Sequence, residues 1–194
     1  MALRENKGLW TLLLLGTVYT FVYMPINALF PLISMDYFKG TPVHVSISEI
    51  AFAAGMLAGG LLLGRLGHFD RRILLMGASF LAMGGSLVIS GLLPPGGFAV
   101  FAVCCTIMGL SVPLYSGVQT ALFQENIQPE YLGRVFALTG SILSFAMPAG
   151  LILSGLFADR IGLNRWLLLS GIVIMGLAVA LPLFTEVKQL DDKP

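Results

Sequence analysis

Charged and chemically reactive side chains are scarce in this sequence. Asp, Glu, Lys and Arg make up only 11% of its 194 residues, and the chain has two cysteines and two histidines. Cys104 and Cys105 are adjacent, so they cannot form a relaxed disulfide. No metal-binding set, Ser–His pair or glycine-rich phosphate loop can be assembled. These absences argue against an enzyme, and nothing in the sequence requires a cofactor, a metal ion or a nucleic acid.

Apolar residues, in contrast, are abundant and clustered. They make up 57% of the chain, and the mean hydropathy is +0.90. A bilayer core roughly 30 Å thick needs about 20 apolar residues per helix. Six stretches approach this length, and their one charged residue is Glu49, at the edge of the second. The stretches are residues 9–34, 46–64, 73–93, 98–121, 135–157 and 166–184.

The pattern predicts an all-α membrane protein with six transmembrane helices. Helix is expected because backbone groups in lipid must satisfy their own hydrogen bonds, and the alternating pattern of membrane strands is missing. The breaks between stretches are short, including residues 124–134 and 159–165. We therefore expect one transmembrane domain over residues 1–194, with a cytoplasmic lead-in at 1–8 and a cytoplasmic tail at 185–194.

The distribution of Lys and Arg predicts the orientation in the membrane. With the N-terminus inside, eight basic residues fall on the cytoplasmic side and three on the other. An excess of cytoplasmic Lys and Arg is the rule for membrane proteins. Both termini are therefore expected in the cytoplasm. The cytoplasmic set is Arg4, Lys7, Arg65, Arg71, Arg72, Arg134, Lys188 and Lys193, and the opposite set is Lys39, Arg160 and Arg165.

A short pattern occurs twice at a spacing of 95 residues. Gly60, Arg65 and Gly67 in "GLLLGRLG" are matched by Gly155, Arg160 and Gly162 in "GLFADRIG". Each copy follows the second span of a three-span unit, and three is odd, so the second unit crosses the membrane inverted. The pattern predicts two inverted three-helix repeats, a known plan of secondary transporters.

These motifs resemble those of the major facilitator superfamily. "GLFADRIG" resembles its G-x-x-x-D-R-x-G signature, and "GLLLGRLGHFDRR" resembles the degenerate form, with Gly64 in place of the aspartate. The stretches at 129–138 and 24–32 resemble the macrolide-efflux-like branch of the family. The resemblance implies the C-terminal six-helix half of a twelve-helix carrier, whose substrate cavity lies between two halves. The chain is then a fragment, a truncated gene product or half of a homodimer.

Two roles remain open for the charged residues of the signature. Asp159 is expected at the C-terminal end of the fifth helix, where a negative charge is unfavourable without a partner. We expect the motif either to form gates that close in one conformation or only to cap helices and fix topology. The residues concerned are Gly60, Arg65, Gly67, Arg71, Arg72, Arg134, Gly155, Asp159, Arg160 and Gly162.

Rows of polar residues four apart in the first and fourth spans, with two serines in the fifth, predict a cavity lined by these three spans. Polar groups in lipid are costly unless they face protein or water. The third and sixth spans have only isolated serines, so they are expected to face lipid. The candidate substrate-cavity residues are Tyr19, Tyr23 and Asn27, then Ser111, Tyr115 and Gln119, and finally Ser141 and Ser144.

Glycines in the second span predict close contact with another helix. Gly55 and Gly59 form one G-x-x-x-G step, and Gly64 ends an overlapping one. Small residues at this spacing let helix backbones approach each other in membranes.

The function expected from these features is secondary active transport in a bacterial plasma (inner) membrane. We expect proton-coupled efflux of a hydrophobic or amphipathic small molecule by alternating access. The coupling carboxylate is then either Glu49 or a group in a missing half. The expected partners are the lipid bilayer, the substrate, and a missing N-terminal half or a second copy of the chain. Two alternatives remain: a substrate-binding subunit of a vitamin-type transporter and a six-span channel.

Overall fold

The computed structural model describes residues 7–65 and 72–181, without the side chains of residues 7, 147, 153, 154 and 156–159. Six helices in these ranges are long and apolar enough to cross a membrane. The prediction of six membrane helices is confirmed. They are α1 Lys7–Leu32, which continues as a π-helical turn Ile33–Tyr37, α2 Pro42–Arg65, α3 Arg72–Leu92, α4 Phe98–Asn126, α5 Pro129–Ile161 and α6 Leu163–Ala180.

Proline and glycine set several helix boundaries. Pro42 and Pro129 are the first residues of α2 and α5, where the missing N–H of proline costs nothing. Gly162, with φ of 90°, separates α5 from α6, because a residue without a Cβ tolerates that conformation. The helices extend into the predicted breaks at 124–134 and 159–165. Their polar residues lie largely on helical turns, which can extend beyond the hydrocarbon core.

The contacts made by the first three helices correspond to those made by the last three. α2 packs on α4 as α5 packs on α1, and α3 packs on α4 as α6 packs on α1. The pair α3 and α6 also pack against each other extensively. Exchanging the first three helices with the last three therefore maps these contacts onto one another. This pattern agrees with two inverted three-helix repeats forming half of a major-facilitator-type fold.

The core lies between α1, α3 and α4. Phe80 and Met83 of α3 and Phe101 and Met108 of α4 are completely buried. The expectation that the third and sixth spans face lipid is therefore wrong for the inner side of each helix. In α3, Leu74 and other residues of the opposite side are exposed. The expectation was based on polar residues alone. It missed that one side of α3 carries large apolar side chains that are buried in the core.

Candidate functional site

The three predicted cavity tyrosines meet in one aromatic cluster. The ring centroid of Tyr19 on α1 lies 5.6 Å from that of Tyr23 and 4.4 Å from that of Tyr115 on α4. Phe80 of α3 closes the cluster, 5.1 Å from both Tyr19 and Tyr115. All four side chains are buried. The Tyr19 hydroxyl has no hydrogen-bond partner among the described residues. The cluster thus packs α1, α3 and α4 against one another.

A hydrogen-bonded pair connects this cluster to the α1 backbone. The Tyr115 hydroxyl donates to Oε1 of Gln119 over 2.9 Å. Nε2 of Gln119 in turn donates to the carbonyl oxygen of Leu12 over 3.4 Å. Gly16 makes room for the pair, because a Cβ at this position would collide with the Tyr115 hydroxyl and the Gln119 amide. The pair is thus fixed between two helices by one glycine.

A polar pocket of about 110 Å³ adjoins the pair. It lies between α1, α4 and α5, the three helices predicted to line a cavity. Most of the wall surface is apolar, hydroxyl and amide groups contribute the rest, and no charged residue lines it among the described residues. The lining consists of Leu13, Gly16, Thr17 and Thr20 from α1, Tyr115, Ser116 and Gln119 from α4, and Thr139, Ile142 and Leu143 from α5.

The pocket contains only two of the eight predicted cavity residues, Tyr115 and Gln119. Thr17, Thr20 and Thr139 were missed, because the sequence interpretation followed the tyrosine row of α1 instead of the threonine face. A signal for that face exists: Leu13, Thr17 and Thr20 have the i, i+4, i+7 spacing of one helix side. Hydroxyl groups on such a side within an apolar span indicate contact with protein or water.

The other predicted cavity residues lie outside the pocket. The Ser111 hydroxyl is buried and donates to its own helix, to the Ile107 oxygen over 2.8 Å. Ser141 and Ser144 are exposed on α5. Asn27 is also exposed, and its Nδ2 donates to the Tyr23 hydroxyl over 3.3 Å. Three polar side chains of α1 and α5 are therefore exposed on the surface of this bundle, although Asn27 and Ser141 keep hydrogen bonds within their own helices.

The basic residues of the signature motifs that the structure describes make different contacts. Arg72 pairs with Glu125, which ties the start of α3 to the end of α4. Arg65 and Arg160 are exposed at the ends of α2 and α5. The Arg134 guanidinium lies 5.9 Å from the ring centroid of Tyr131, one turn earlier on α5.

Several motif residues are placed only in part. Gly67 and Arg71 lie outside the described residues, as does the side chain of Asp159. Gly60 and Gly155 face open space, since a Cβ at either would meet no atom within 4 Å. Gly162 adopts the positive φ at the turn from α5 to α6.

Two of the three predicted packing glycines bring α2 against α4. A Cβ on Gly55 would collide with the Thr106 carbonyl oxygen, and one on Gly59 would collide with the Leu110 carbonyl oxygen. Gly109 of α4 completes the contact against the Phe52 carbonyl of α2. The contact is made by backbone on both sides. Gly64, in contrast, has open space around its Cα.

A second cavity, of about 140 Å³, is almost entirely apolar. It lies between α1, α5 and α6, and Phe21, Pro25, Gly150, Trp166 and Leu169 contribute to its wall. In the part of the chain that the structure describes, no three His, Cys, Asp or Glu residues come close enough to hold a metal ion. The pocket with polar groups is therefore the candidate binding site.

Comparisons with known proteins agree with this architecture. The sequence model of the Major Facilitator Superfamily matches residues 1–151. "Macrolide efflux protein A" of Streptococcus pyogenes is 70% identical over 191 residues, which is 98% of this chain and 47% of that protein. The protein of the same name in Enterococcus faecalis is 74% identical over 149 residues, 77% of this chain and 46% of that protein.

A more distant relative extends the comparison. "Multidrug efflux pump Tap" of Mycolicibacterium fortuitum is 27% identical over 182 residues, which is 93% of this chain and 44% of the pump. The chain spans about half the length of the curated relatives it matches. Its similarity to these proteins therefore concerns one half of each of them.

Proposed function

Since the chain belongs to the major facilitator superfamily, we propose that it forms one half of a carrier that exports a hydrophobic or amphipathic molecule of the macrolide class. The superfamily consists of transporters rather than enzymes, and the six apolar helices make the chain an integral, multi-pass membrane protein. The observation that carries the proposal is the polar pocket between α1, α4 and α5. Such a pocket in an apolar bundle marks a place built for a ligand.

The chemistry of the pocket agrees with an uncharged or weakly polar substrate. Hydroxyl groups and one amide supply directional hydrogen bonds, and aliphatic carbons supply apolar contact. Relatives named for macrolide and multidrug efflux support a large, mainly apolar substrate. A ligand of that size exceeds a pocket of about 110 Å³, so this half contacts only part of it.

A second six-helix bundle is the partner that we propose. α2 and α5 are the spans with the smallest buried share within this chain, and Leu57 and Phe145 are exposed by 72% and 77%. Asn27, Ser141 and Ser144 also point outward, which is unfavourable against lipid. A partner bundle that covers α2 and α5 buries the leucine and phenylalanine and encloses the polar groups in a shared cavity.

Proton coupling and orientation belong to the same proposal. Glu49 is exposed on α2 and does not line the pocket. We therefore place the coupling carboxylate in the partner bundle rather than in this chain. The excess of Lys and Arg in the predicted cytoplasmic segments supports cytoplasmic termini in a bacterial plasma membrane.

Accumulation of a radiolabelled macrolide in susceptible bacteria tests the proposal. The chain is expressed alone and together with the part of the Streptococcus pyogenes relative that it does not cover. We expect lower accumulation only with both halves, and we expect a protonophore to abolish the difference. A Gln119→Leu variant of the same pair, which lacks the pocket amide, serves as the loss-of-function comparison. Equal accumulation in all strains, at equal membrane expression, contradicts the proposal.

A further inference from the structure

Two threonines present hydrogen-bond acceptors to the polar pocket. The Thr17 hydroxyl donates to the Leu13 oxygen over 2.8 Å, and the Thr139 hydroxyl donates to the Val135 oxygen over 2.9 Å. A hydroxyl has one hydrogen and two lone pairs. Because each hydrogen is used within its own helix, the oxygen atoms of Thr17 and Thr139 offer lone pairs to a ligand.

Gln119 supplies a complementary donor. Its Oε1 accepts from the Tyr115 hydroxyl, and its Nε2 donates to the Leu12 oxygen. The amide nitrogen carries two hydrogens, so one N–H is left for the pocket that Gln119 lines. The orientation of the amide is fixed at both of its ends, which reduces the entropy lost when a ligand binds.

Gly16 makes this arrangement possible. A Cβ at this position would occupy the space taken by the Gln119 amide and the Tyr115 hydroxyl. Both side-chain ends would then have to shift, and we expect the 3.4 Å hydrogen bond from Gln119 to the Leu12 oxygen to be weakened or lost. Gly16 also lines the pocket itself. The absence of a Cβ at position 16 thus leaves space for the Gln119 amide and for the pocket beside it.

Resting on the function proposed above, we propose that these residues form a subsite for a neutral, hydroxyl-bearing part of the substrate, with Gly16 as its specificity-determining residue. A ligand hydroxyl has one hydrogen, which the Thr17 oxygen can accept, and lone pairs, which can accept the remaining N–H of Gln119. Thr139 offers an acceptor for a second ligand hydroxyl. A charged group finds no opposite charge in the described lining, and burying it unpaired is costly. The pocket, of about 110 Å³, is small beside a whole macrolide, so one substituent enters.

The test compares two probes on the carrier assembly used for export. One is a tritiated macrolide with free hydroxyls, and the other is its derivative with those hydroxyls converted to methyl ethers. Dissociation constants are measured by scintillation proximity for wild type, Thr17→Val and Gly16→Ala. Gly77→Ala on α3 is the control, because a Cβ there meets no atom within 4 Å.

The expected results separate the subsite from general damage. Loss of one neutral hydrogen bond raises Kd about five- to tenfold, so Thr17→Val weakens the parent macrolide by this factor. The methyl ether cannot donate, so its Kd stays within about twofold. Gly16→Ala weakens the parent at least about tenfold and removes the preference for it over the ether. Gly77→Ala leaves both values unchanged.

Each contrary result has a distinct meaning. Wild-type protein that binds neither probe overturns the proposed function, and the subsite with it. Binding of both probes, with Thr17→Val changing the two dissociation constants equally or not at all, overturns the subsite but leaves the carrier function. An unchanged preference in Gly16→Ala overturns the role of Gly16. If Gly16→Ala does not fold, Thr17→Val still decides on the subsite.

Discussion

The α2–α4 and α1–α5 interfaces correspond to each other in the two repeats, yet they are built differently. At the α2–α4 interface, Gly55, Gly59 and Gly109 bring the two backbones into contact. At the α1–α5 interface, the helices leave room for two cavities. Close backbone contact fixes a helix pair and leaves no space for a ligand. The candidate site therefore lies at the looser of two related interfaces.

The sequence explains part of this difference. Gly55 and Gly150 are 95 residues apart, the same offset as the repeated motif, and each receives another helix. Gly150 meets the Pro25 ring of α1 instead of a backbone carbonyl. Ninety-five residues before Gly109, α1 has Leu14, which is 47% exposed. α1 thus has no glycine at the position that corresponds to Gly109, and the Pro25 ring is the nearest group to Gly150.

Replacing Gly55 with leucine is expected to have the largest effect, because it breaks the tight interface. The new side chain would collide with the Thr106 carbonyl and come within 2.9 Å of the Leu110 nitrogen already at its Cβ. Backbone cannot move aside as a side chain can, so we expect a loss of about 3 kcal/mol of stability. Thermal unfolding of the purified protein in detergent measures it.

Gly60→Leu is the matched control for Gly55→Leu. It adds the same side chain to the same helix, where the structure leaves open space. A Tm close to that of wild type is expected. Equal destabilisation by the two substitutions would show that the contact between α2 and α4 is not the cause.

Replacing Thr139 with leucine is expected to have an intermediate effect, confined to function. The larger apolar side chain fills the pocket on the α5 side. Because the pocket has free volume, the free energy of unfolding should change by less than about 1 kcal/mol. Macrolide export should fall about tenfold, since one hydrogen bond and the space for the ligand are both lost.

Thr139→Val separates the two losses. Valine keeps the size of threonine and removes the hydroxyl oxygen, so export should fall by a smaller factor than with leucine. Measured export rates at equal membrane expression distinguish the variants. If Thr139→Leu exports like wild type, the pocket is not on the substrate path.

Neutralising the ion pair of Arg72 and Glu125 is expected to have the smallest effect. The side chains are 28% and 53% exposed, so solvent screens their attraction, and such pairs contribute about 0.2–1 kcal/mol. Arg72→Gln should therefore lower Tm slightly, and the double exchange Arg72→Glu with Glu125→Arg should restore part of the loss. A drop in Tm as large as that caused by Gly55→Leu would mean that the ion pair between the ends of α3 and α4 contributes as much stability as the glycine contact, against this prediction.

The helices were predictable from sequence to a much greater degree than the pocket. Length and apolar composition determine the six spans, because lipid permits few other structures. The pocket depends on which side of α1 faces α5, and regular spacing alone cannot settle that. The row of Tyr19, Tyr23 and Asn27 had the stronger polar pattern. The burial of Tyr19 and Tyr23 against Phe80 is a contact between distant segments that no local pattern encodes.

Accessibility of single cysteines tests the contrast between the two interfaces most directly. In a background with Cys104 and Cys105 replaced by alanine, Thr17→Cys probes the pocket. Ser111→Cys probes the tightly packed part of α4, because Ser111 is buried next to Leu110, whose carbonyl oxygen lies against Gly59. A water-soluble methanethiosulfonate is applied to the carrier assembly with and without a macrolide. We predict that Thr17→Cys reacts, that the macrolide protects it, and that Ser111→Cys does not react. Equal reaction at both positions, or no protection at residue 17, contradicts the account.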